Sequence, residues 1–115
     1  MIQKIVKREL IYSPEYMEFA KNSNKRTQEK LMYATEILRT ISPIPAKFVK
    51  KLIDTDFYEM RISVDNEIRV ILFAADNENI NFARQVVFLN GFVKKSNKDY
   101  EGAVIKAVNI LRRLL

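Results

Sequence analysis

Four side chains that can hold or transfer charge crowd the point where an apolar strand is predicted to end and a helix to begin. They are Lys94, Lys95, Lys98 and Tyr100, and they follow the segment VVFLNGFV. The unpaired N–H groups of a helix N-terminus already favour an anion, and three added ammonium groups repel one another unless something negative binds. The stretch therefore predicts an anion site. The alternatives are a solvated loop for the lysines and a packing role for the tyrosine.

A second candidate group is the pair of arginines in YEMRISVDNEIRVIL, which alternates like a β-hairpin. With a three-residue loop at 65–67, Arg61 and Arg69 point from the same face as diagonal neighbours, whereas a two-residue loop would place them on opposite faces. Two guanidinium groups on one concave face would grip a phosphate in bidentate fashion. The alternative is that each arginine pairs with a carboxylate, Glu59 and Glu67 being nearest in sequence.

A third candidate group precedes the hairpin, in the segment AKFVKKLIDTD. Lys47, Lys50 and Lys51 alternate there with the apolar residues Phe48 and Leu52. A solvated surface explains a lysine-rich connector, and the two apolar residues then anchor it to the core. The same residues are also typical of a wall against which an unstacked RNA base rests.

Composition restricts the chemistry that these groups can perform. The 115 residues carry a net charge of +6 and include neither cysteine nor histidine. This excludes thiolate chemistry, the Ser-His-Asp triad and the usual zinc sites, so acid–base chemistry must use Lys, Arg, Tyr, Asp or Glu. No glycine-rich phosphate loop and no acidic pair at metal spacing occurs, and we predict neither a cofactor nor a metal. The positive charge fits either a polyanion partner or a lysine-rich surface.

Length and the N-terminal sequence predict one soluble domain over residues 1–115. The opening MIQKIVKREL never reaches the apolar length of a signal peptide or a membrane span. We therefore expect a cytoplasmic protein without a membrane partner.

The elements that position the candidate residues are predicted in the order β-α-α-β-β-β-α. KIVKRELIYS opens as a strand, Ser13 caps the first helix with Pro14 in its first position, and SPIP ends the second helix. Three strands follow the connector 46–56, and the last helix is predicted to start just after Lys95. Strands joined mainly as hairpins indicate an α+β fold, a small antiparallel sheet with helices packed on it.

Taken in order, RELIYSPEYMEFA, PAKFVKKL, YEMRISVDNEIRVILF and VVFLNGFVKKSNK resemble the RelE/ParE toxin superfamily, most closely its HigB-like, phage-derived (Gp49-like) branch. The similarity covers nearly the whole chain. It implies the toxin of a type II toxin-antitoxin pair, commonly a ribosome-dependent endoribonuclease that cuts messenger RNA in the A site. The ribose 2′-OH attacks the adjacent phosphate and leaves a cyclic phosphate and a free 5′-OH.

The resemblance also implies partners and residue roles. The partners are the ribosome, messenger RNA and a cognate antitoxin, a helix-turn-helix protein through which operator DNA is bound. The residues implied to act at the phosphate are Arg61, Arg69, Lys94, Lys95 and Tyr100. The arginines would hold it, and one of the two neighbouring lysines would stabilise charge or protonate the leaving oxygen. The residues expected to bind RNA are Lys47, Lys50, Lys51 and Lys98.

Two other functions remain open on the same fold, because a fold does not determine function. One is a ParE-like toxin that inhibits DNA gyrase without cutting nucleic acid. The other is an inactive RNA-binding or regulatory protein, which would bind RNA in a salt-sensitive manner without cleavage.

Overall fold

The computed structural model describes residues 5–115, which form five strands and three helices. The elements in chain order are β1 (Glu9–Tyr12), α1 (Pro14–Asn22), α2 (Lys25–Thr40), β2 (Val49–Lys51), β3 (Tyr58–Val64), β4 (Asn66–Ala74), β5 (Gln85–Lys94) and α3 (Lys98–Leu114). The α+β class is confirmed, and so is the predicted order, apart from one additional strand, β2, before the hairpin. The predicted first strand includes Lys4, which lies outside the described residues.

The strands form one sheet in the order β1-β5-β4-β3-β2. It is antiparallel except at one edge, where β1 runs parallel to β5. The segment 46–56, predicted to be a connector, contributes the extra strand β2 because its backbone pairs with the outer edge of β3. Helices α1 and α2 cover one face of the sheet and α3 covers the other, so each face has its own apolar cluster.

Polar side chains cap the starts of the first two helices, and Ser13 is the cap predicted for the first of them. Ser13 Oγ accepts from the N–H of Tyr16 at 3.0 Å and donates to the carbonyl of Leu89, which ties the start of α1 to β5. Asn24 Oδ1 accepts from the N–H of Thr27 at 2.8 Å and caps α2. Each cap satisfies a donor that the helix leaves unpaired.

The β3–β4 hairpin places both arginines on one face, as predicted, but in a different register. Arg61 lies directly opposite Arg69, so the predicted diagonal relationship is wrong. The turn is tighter than expected because it consists of Asp65, which adopts the left-handed conformation with a φ of 59°, and Asn66 already pairs with Val64. A register change of two residues preserves the face because side chains alternate with a period of two.

A β-bulge in β5 sets the direction of its second half. Ile71 pairs with Asn90 and Leu72 with Phe88, which leaves Leu89 as the extra residue. Beyond the bulge, Phe92 lies opposite Arg69 and Lys94 lies opposite Glu67. Both β5 side chains therefore emerge on the face that α3 covers, beside the hairpin arginine.

Arg8 is a fully buried cation that holds the C-terminal end of α2. Its Nη1 donates to the carbonyls of Leu38 and Ile41 at 2.7 and 2.8 Å, and its Nε donates to the carbonyl of Ile80 at 3.1 Å. Burial lowers the pKa of this guanidinium. The last carbonyls of a helix carry partial negative charge, so they compensate a buried cation that has no carboxylate partner in the described part of the chain.

Candidate active site

Six ionisable side chains from four elements meet on the face of the sheet that α3 covers. This charge cluster consists of Glu59, Arg61, Glu67, Arg69, Lys94 and Tyr100. Strands β3 and β4 supply the first four residues, β5 supplies the lysine and the first turn of α3 supplies the tyrosine. Two arginines balance two glutamates, so the lysine gives the cluster its excess positive charge.

Arg69 is the centre of the charge cluster, with only 3 % of its side chain exposed. Its Nε donates to Tyr100 Oη at 3.1 Å, and its Nη1 donates to Glu67 Oε2 at 3.3 Å. Burial acts to lower the pKa of Arg69, but the phenol and the carboxylates of Glu67 and Glu59 outweigh it, and the pKa is raised. Arg69 is therefore a permanent, fixed cation.

Arg61 is the arginine that solvent and a ligand can reach, with 34 % of its side chain exposed. Its Nε lies 3.4 Å from Glu59 Oε1. The predicted alternative, in which each arginine pairs with a carboxylate, is thus what the structure contains. The structure also brings both arginines together on one face, which was the condition for bidentate binding of a phosphate.

Glu59 is a buried carboxylate that the sequence suggested only as an ion-pair partner. Its Oε1 faces Arg61, while its Oε2 lies 3.9 Å from Arg69 Nε and has no hydrogen-bond partner among residues 5–115. A buried charged oxygen without a hydrogen bond is costly, and such groups concentrate at functional sites. The placement of Glu59 and Arg61 on one strand face was the available signal, but the burial of Glu59 beside Arg69 and Tyr100 was not visible in the sequence.

Tyr100 is held as a neutral phenol. Its ring packs edge-on against Phe92, with 5.4 Å between ring centroids, and Lys94 Nζ lies 5.6 Å from the Tyr100 centroid. Burial, followed by the nearby Glu59 carboxylate, raises the pKa of Tyr100 despite the opposing effect of Arg69. The phenol therefore keeps its proton at neutral pH and acts as a donor rather than as a base.

The other two lysines of the strand–helix junction remain at the surface. Lys95 and Lys98 are exposed, and neither forms a salt bridge within residues 5–115. Helix α3 starts at Lys98, slightly later than predicted. The carboxylate of Asp99 accepts the N–H groups of Lys95 and Ser96 at 2.7 and 3.0 Å. Part of the anion site predicted here is thus filled by the chain's own carboxylate.

A cavity of about 560 Å³ opens beside the charge cluster, at the edge of β3 that β2 leaves uncovered. We call it the edge cleft. Its lining comprises Lys30, Tyr33, Lys47, Phe48, Arg61, Ile62, Ser63, Glu67 and Arg69. Of these, Lys30 and Tyr33 come from α2 and were missed by the sequence analysis, since only the packing of α2 on β3 brings them to the hairpin.

The three connector lysines take different positions. Lys47 lines the edge cleft, with its Nζ 5.1 Å from the centroid of Phe48. Lys50 is exposed opposite Glu59 in the β2–β3 ladder, on the face of the charge cluster. Lys51 emerges from the other face, where its Nζ lies 5.5 Å from the ring of Tyr58. The structure therefore brings two of the three toward the candidate site.

No group of three or more acidic, histidine or cysteine side chains placed to hold a metal ion occurs in the range 5–115. Within the same range, no helix combines the length and the apolar character needed to cross a membrane.

The fold and the charge cluster together define the class of protein. Two N-terminal helices on one face of a five-stranded sheet and a C-terminal helix on the other are consistent with a RelE-like fold. Residues 18–112 match the family described as Phage derived protein Gp49-like (DUF891), which is part of the RelE/ParE-like toxin group. The chain belongs to this family, and the predicted resemblance is confirmed. No curated protein matches the chain. Family membership suggests the toxin of a toxin-antitoxin pair, with an antitoxin as partner.

Proposed function

We propose that this chain is a ribosome-dependent endoribonuclease that cuts messenger RNA in the A site. The observation that carries the proposal is the charge cluster: two arginines face each other across a hairpin, beside a buried carboxylate with one oxygen that accepts no hydrogen bond and beside a neutral phenol. These groups match the needs of phosphodiester cleavage by an internal hydroxyl. That reaction requires a base, a proton donor and positive charge at the phosphate.

The exposure of each group suggests its role. A messenger phosphate enters from the edge cleft and contacts Arg61, while Arg69, which is buried, holds Tyr100 and Glu59 in place. Glu59 accepts the proton of the ribose 2′-OH as the bond from O2′ to phosphorus forms. The bond from phosphorus to O5′ breaks, and Lys94 or Tyr100 supplies a proton to the departing oxygen. Fixed cations that face the developing negative charge lower the barrier without reorganising.

Exposed lysines extend the RNA-binding surface in this proposal. Lys50 pairs with Glu59 across the β2–β3 ladder, Lys95 and Lys98 are neighbours of Lys94 and Tyr100 in sequence, and Lys47 lines the edge cleft. Such cations contact successive phosphates and make binding dependent on salt. Lys51 is predicted to contribute less, because it emerges from the opposite face.

The partners that accompany this function are the ribosome with its messenger, and an antitoxin of the helix-turn-helix class that carries the pair to operator DNA. We propose that the protein acts in the cytoplasm, where translating ribosomes are found.

A translating cell extract tests the proposal. Purified toxin is added with a reporter messenger and, in a parallel reaction, with DNA gyrase and supercoiled plasmid. The proposal expects fragmented messenger and intact plasmid, with fragmentation abolished when ribosomes are omitted. Intact messenger together with double-strand DNA breaks would instead assign the chain to gyrase inhibition, and salt-sensitive RNA binding without either product would indicate an inactive binding protein.

A further inference from the structure

Two aromatic rings line the edge cleft. Tyr33 of α2 and Phe48, just before β2, have ring centroids 5.9 Å apart and an interplanar angle of 55°. The Tyr33 side chain is 59 % exposed. Its hydroxyl group makes no hydrogen bond within residues 5–115, so the fold gains little from it.

Two cations flank this aromatic pair. Lys47 Nζ lies 5.1 Å from the Phe48 centroid, and Lys30 lies one helical turn before Tyr33 on α2. Neither ammonium group has a carboxylate within ion-pair distance in the described part of the chain. An exposed ring between unpaired cations is the arrangement that proteins use for single-stranded RNA, because a base stacks on the ring while its neighbouring phosphates meet the cations.

The aromatic pair and the charge cluster share one cavity. Tyr33 and Phe48 line the edge cleft together with Arg61, and its volume of about 560 Å³ is in the range of ordinary ligand sites. A polymer bound at Arg61 through a phosphate therefore has its adjoining nucleotide beside the rings. A single-stranded RNA offers a base with a phosphate on each side. A free nucleotide or a protein side chain does not.

We propose that Tyr33 and Phe48 form a nucleobase subsite, which stacks a base next to the scissile phosphate, with Lys30 and Lys47 on the adjoining phosphates. This inference rests on the proposed function, because the subsite opens onto the same arginine. It gives α2 a role in holding the substrate, in addition to its packing on the sheet. Stacking is tolerant of base identity, so the subsite positions the strand more than it selects a sequence.

Cleavage in the translating extract tests the subsite with substitutions at Tyr33. We expect Tyr33→Ala to lower the cleavage rate about 5- to 100-fold, which is the effect of losing one stacked base, and Tyr33→Phe to stay within about twofold. Met32→Ala is the matched control, because Met32 is 72 % exposed on the same helix and does not line the edge cleft. All three variants should melt close to the wild-type temperature. Wild-type cleavage rates in Tyr33→Ala would overturn the subsite.

A direct binding measurement separates the failure of the subsite from the failure of the nuclease. A single-stranded RNA hexamer carrying 2-aminopurine is titrated with each variant, and its fluorescence falls when that base stacks on a ring. Quenching by the wild type and Tyr33→Phe, with little quenching by Tyr33→Ala, is the expected result. Equal quenching by all variants would contradict the subsite. So would a protein partner whose binding depends on Tyr33 while RNA binding does not. Tyr33-dependent quenching without messenger cleavage would contradict the proposed nuclease while supporting the subsite.

Discussion

Arg61 lies directly opposite Arg69 in the β3–β4 ladder, and both guanidinium groups approach the buried carboxylate of Glu59. Like charges directly opposite each other destabilise a sheet, so a hairpin needs compensation to keep this pair. Glu59 provides it with one oxygen toward each arginine. The resulting set is rigid and, through Arg61, open to a ligand, which is the basis of the proposed phosphate site.

The hydroxyl group of Tyr100 is predicted to matter for cleavage and little for folding. Tyr100→Phe removes the acceptor of the 3.1 Å bond from Arg69 Nε and keeps the ring against Phe92. We expect cleavage in the translating extract to fall by about 100-fold, with a loss of about 1 kcal/mol in the free energy of unfolding. Tyr58→Phe is the control, since the Tyr58 hydroxyl donates to the carbonyl of Glu78 and its ring packs on the opposite face of the sheet. Normal cleavage by Tyr100→Phe would remove the phenol from the mechanism.

Arg8 is predicted to be essential for stability and irrelevant to catalysis. Arg8→Met leaves the buried carbonyls of Leu38, Ile41 and Ile80 without their donor. Each unsatisfied buried group costs about 1–3 kcal/mol, so we expect the free energy of unfolding to fall by about 3–5 kcal/mol in urea denaturation. Lys7→Met, at an exposed neighbour, should change it by less than about 0.5 kcal/mol. Equal stability of the two variants would show that the hydrogen bonds of Arg8 do not hold the C-terminal end of α2.

The two glycines of the chain should respond in opposite ways to alanine. A Cβ at Gly91 would lie 2.4 Å from Phe19 Cδ2, so the ring must move, whereas a Cβ at Gly102 meets nothing within 4 Å. We expect Gly91→Ala to destabilise the fold by about 1–3 kcal/mol. Gly102→Ala, inside α3, should stabilise it by about 0.5–1 kcal/mol. Thermal unfolding of both variants provides the check, and a Gly91→Ala variant as stable as the wild type would contradict the close packing of α1 on β5.

Asp99 should make the stability of the α3 junction depend on acid pH. The backbone N–H groups of Lys95 and Ser96 hold the pKa of Asp99 below its ordinary value. A lowered pKa in the folded state stabilises the fold above the unfolded value of about 3.9, and this stabilisation is lost as the pH falls through the folded value. Asp99→Asn should therefore be less stable than the wild type at pH 7, and this difference should disappear at strongly acid pH. Glu101→Gln, at a residue without such contacts in the described range, is the control. A constant difference at every pH would contradict the assignment.

Local patterns in the sequence were sufficient for the parts of the fold that depend on period and capping. The alternation of side chains along the strands, with a loop of odd length, placed Arg61 and Arg69 on one face. The Ser13-Pro14 pair marked the start of α1. The register that pairs Arg61 directly with Arg69 could not be predicted, because it depends on a left-handed conformation at Asp65, which is not a glycine. A sequence gives no reason to expect that conformation at one aspartate rather than another.

The candidate site was only partly predictable, because the burial of its residues and the lining of its cleft depend on tertiary packing. The charged residue types were visible, but the burial of Glu59 depends on the side chains of Arg69 and Tyr100 from other elements, and Lys30 joins the edge cleft only because α2 packs on β3. The crowding of lysines at 94–98 suggested one anion site, whereas the structure separates Lys94 from its neighbours and gives Asp99 part of that role. Contacts of this kind, between residues distant in sequence, leave no local signature.

The most direct test of the central claim is the chemistry of the messenger ends made by wild type and Glu59→Gln in a translating extract. We expect the wild type to leave 2′,3′-cyclic phosphate and 5′-hydroxyl ends. We also expect Glu59→Gln, which has no base to accept the 2′-OH proton, to cut at least about 100-fold more slowly while remaining folded by circular dichroism. Glu67→Gln, the exposed carboxylate of the same cluster, should stay within a few-fold of the wild type. Undiminished cleavage by folded Glu59→Gln, or wild-type ends that carry a 5′-phosphate, would contradict this claim.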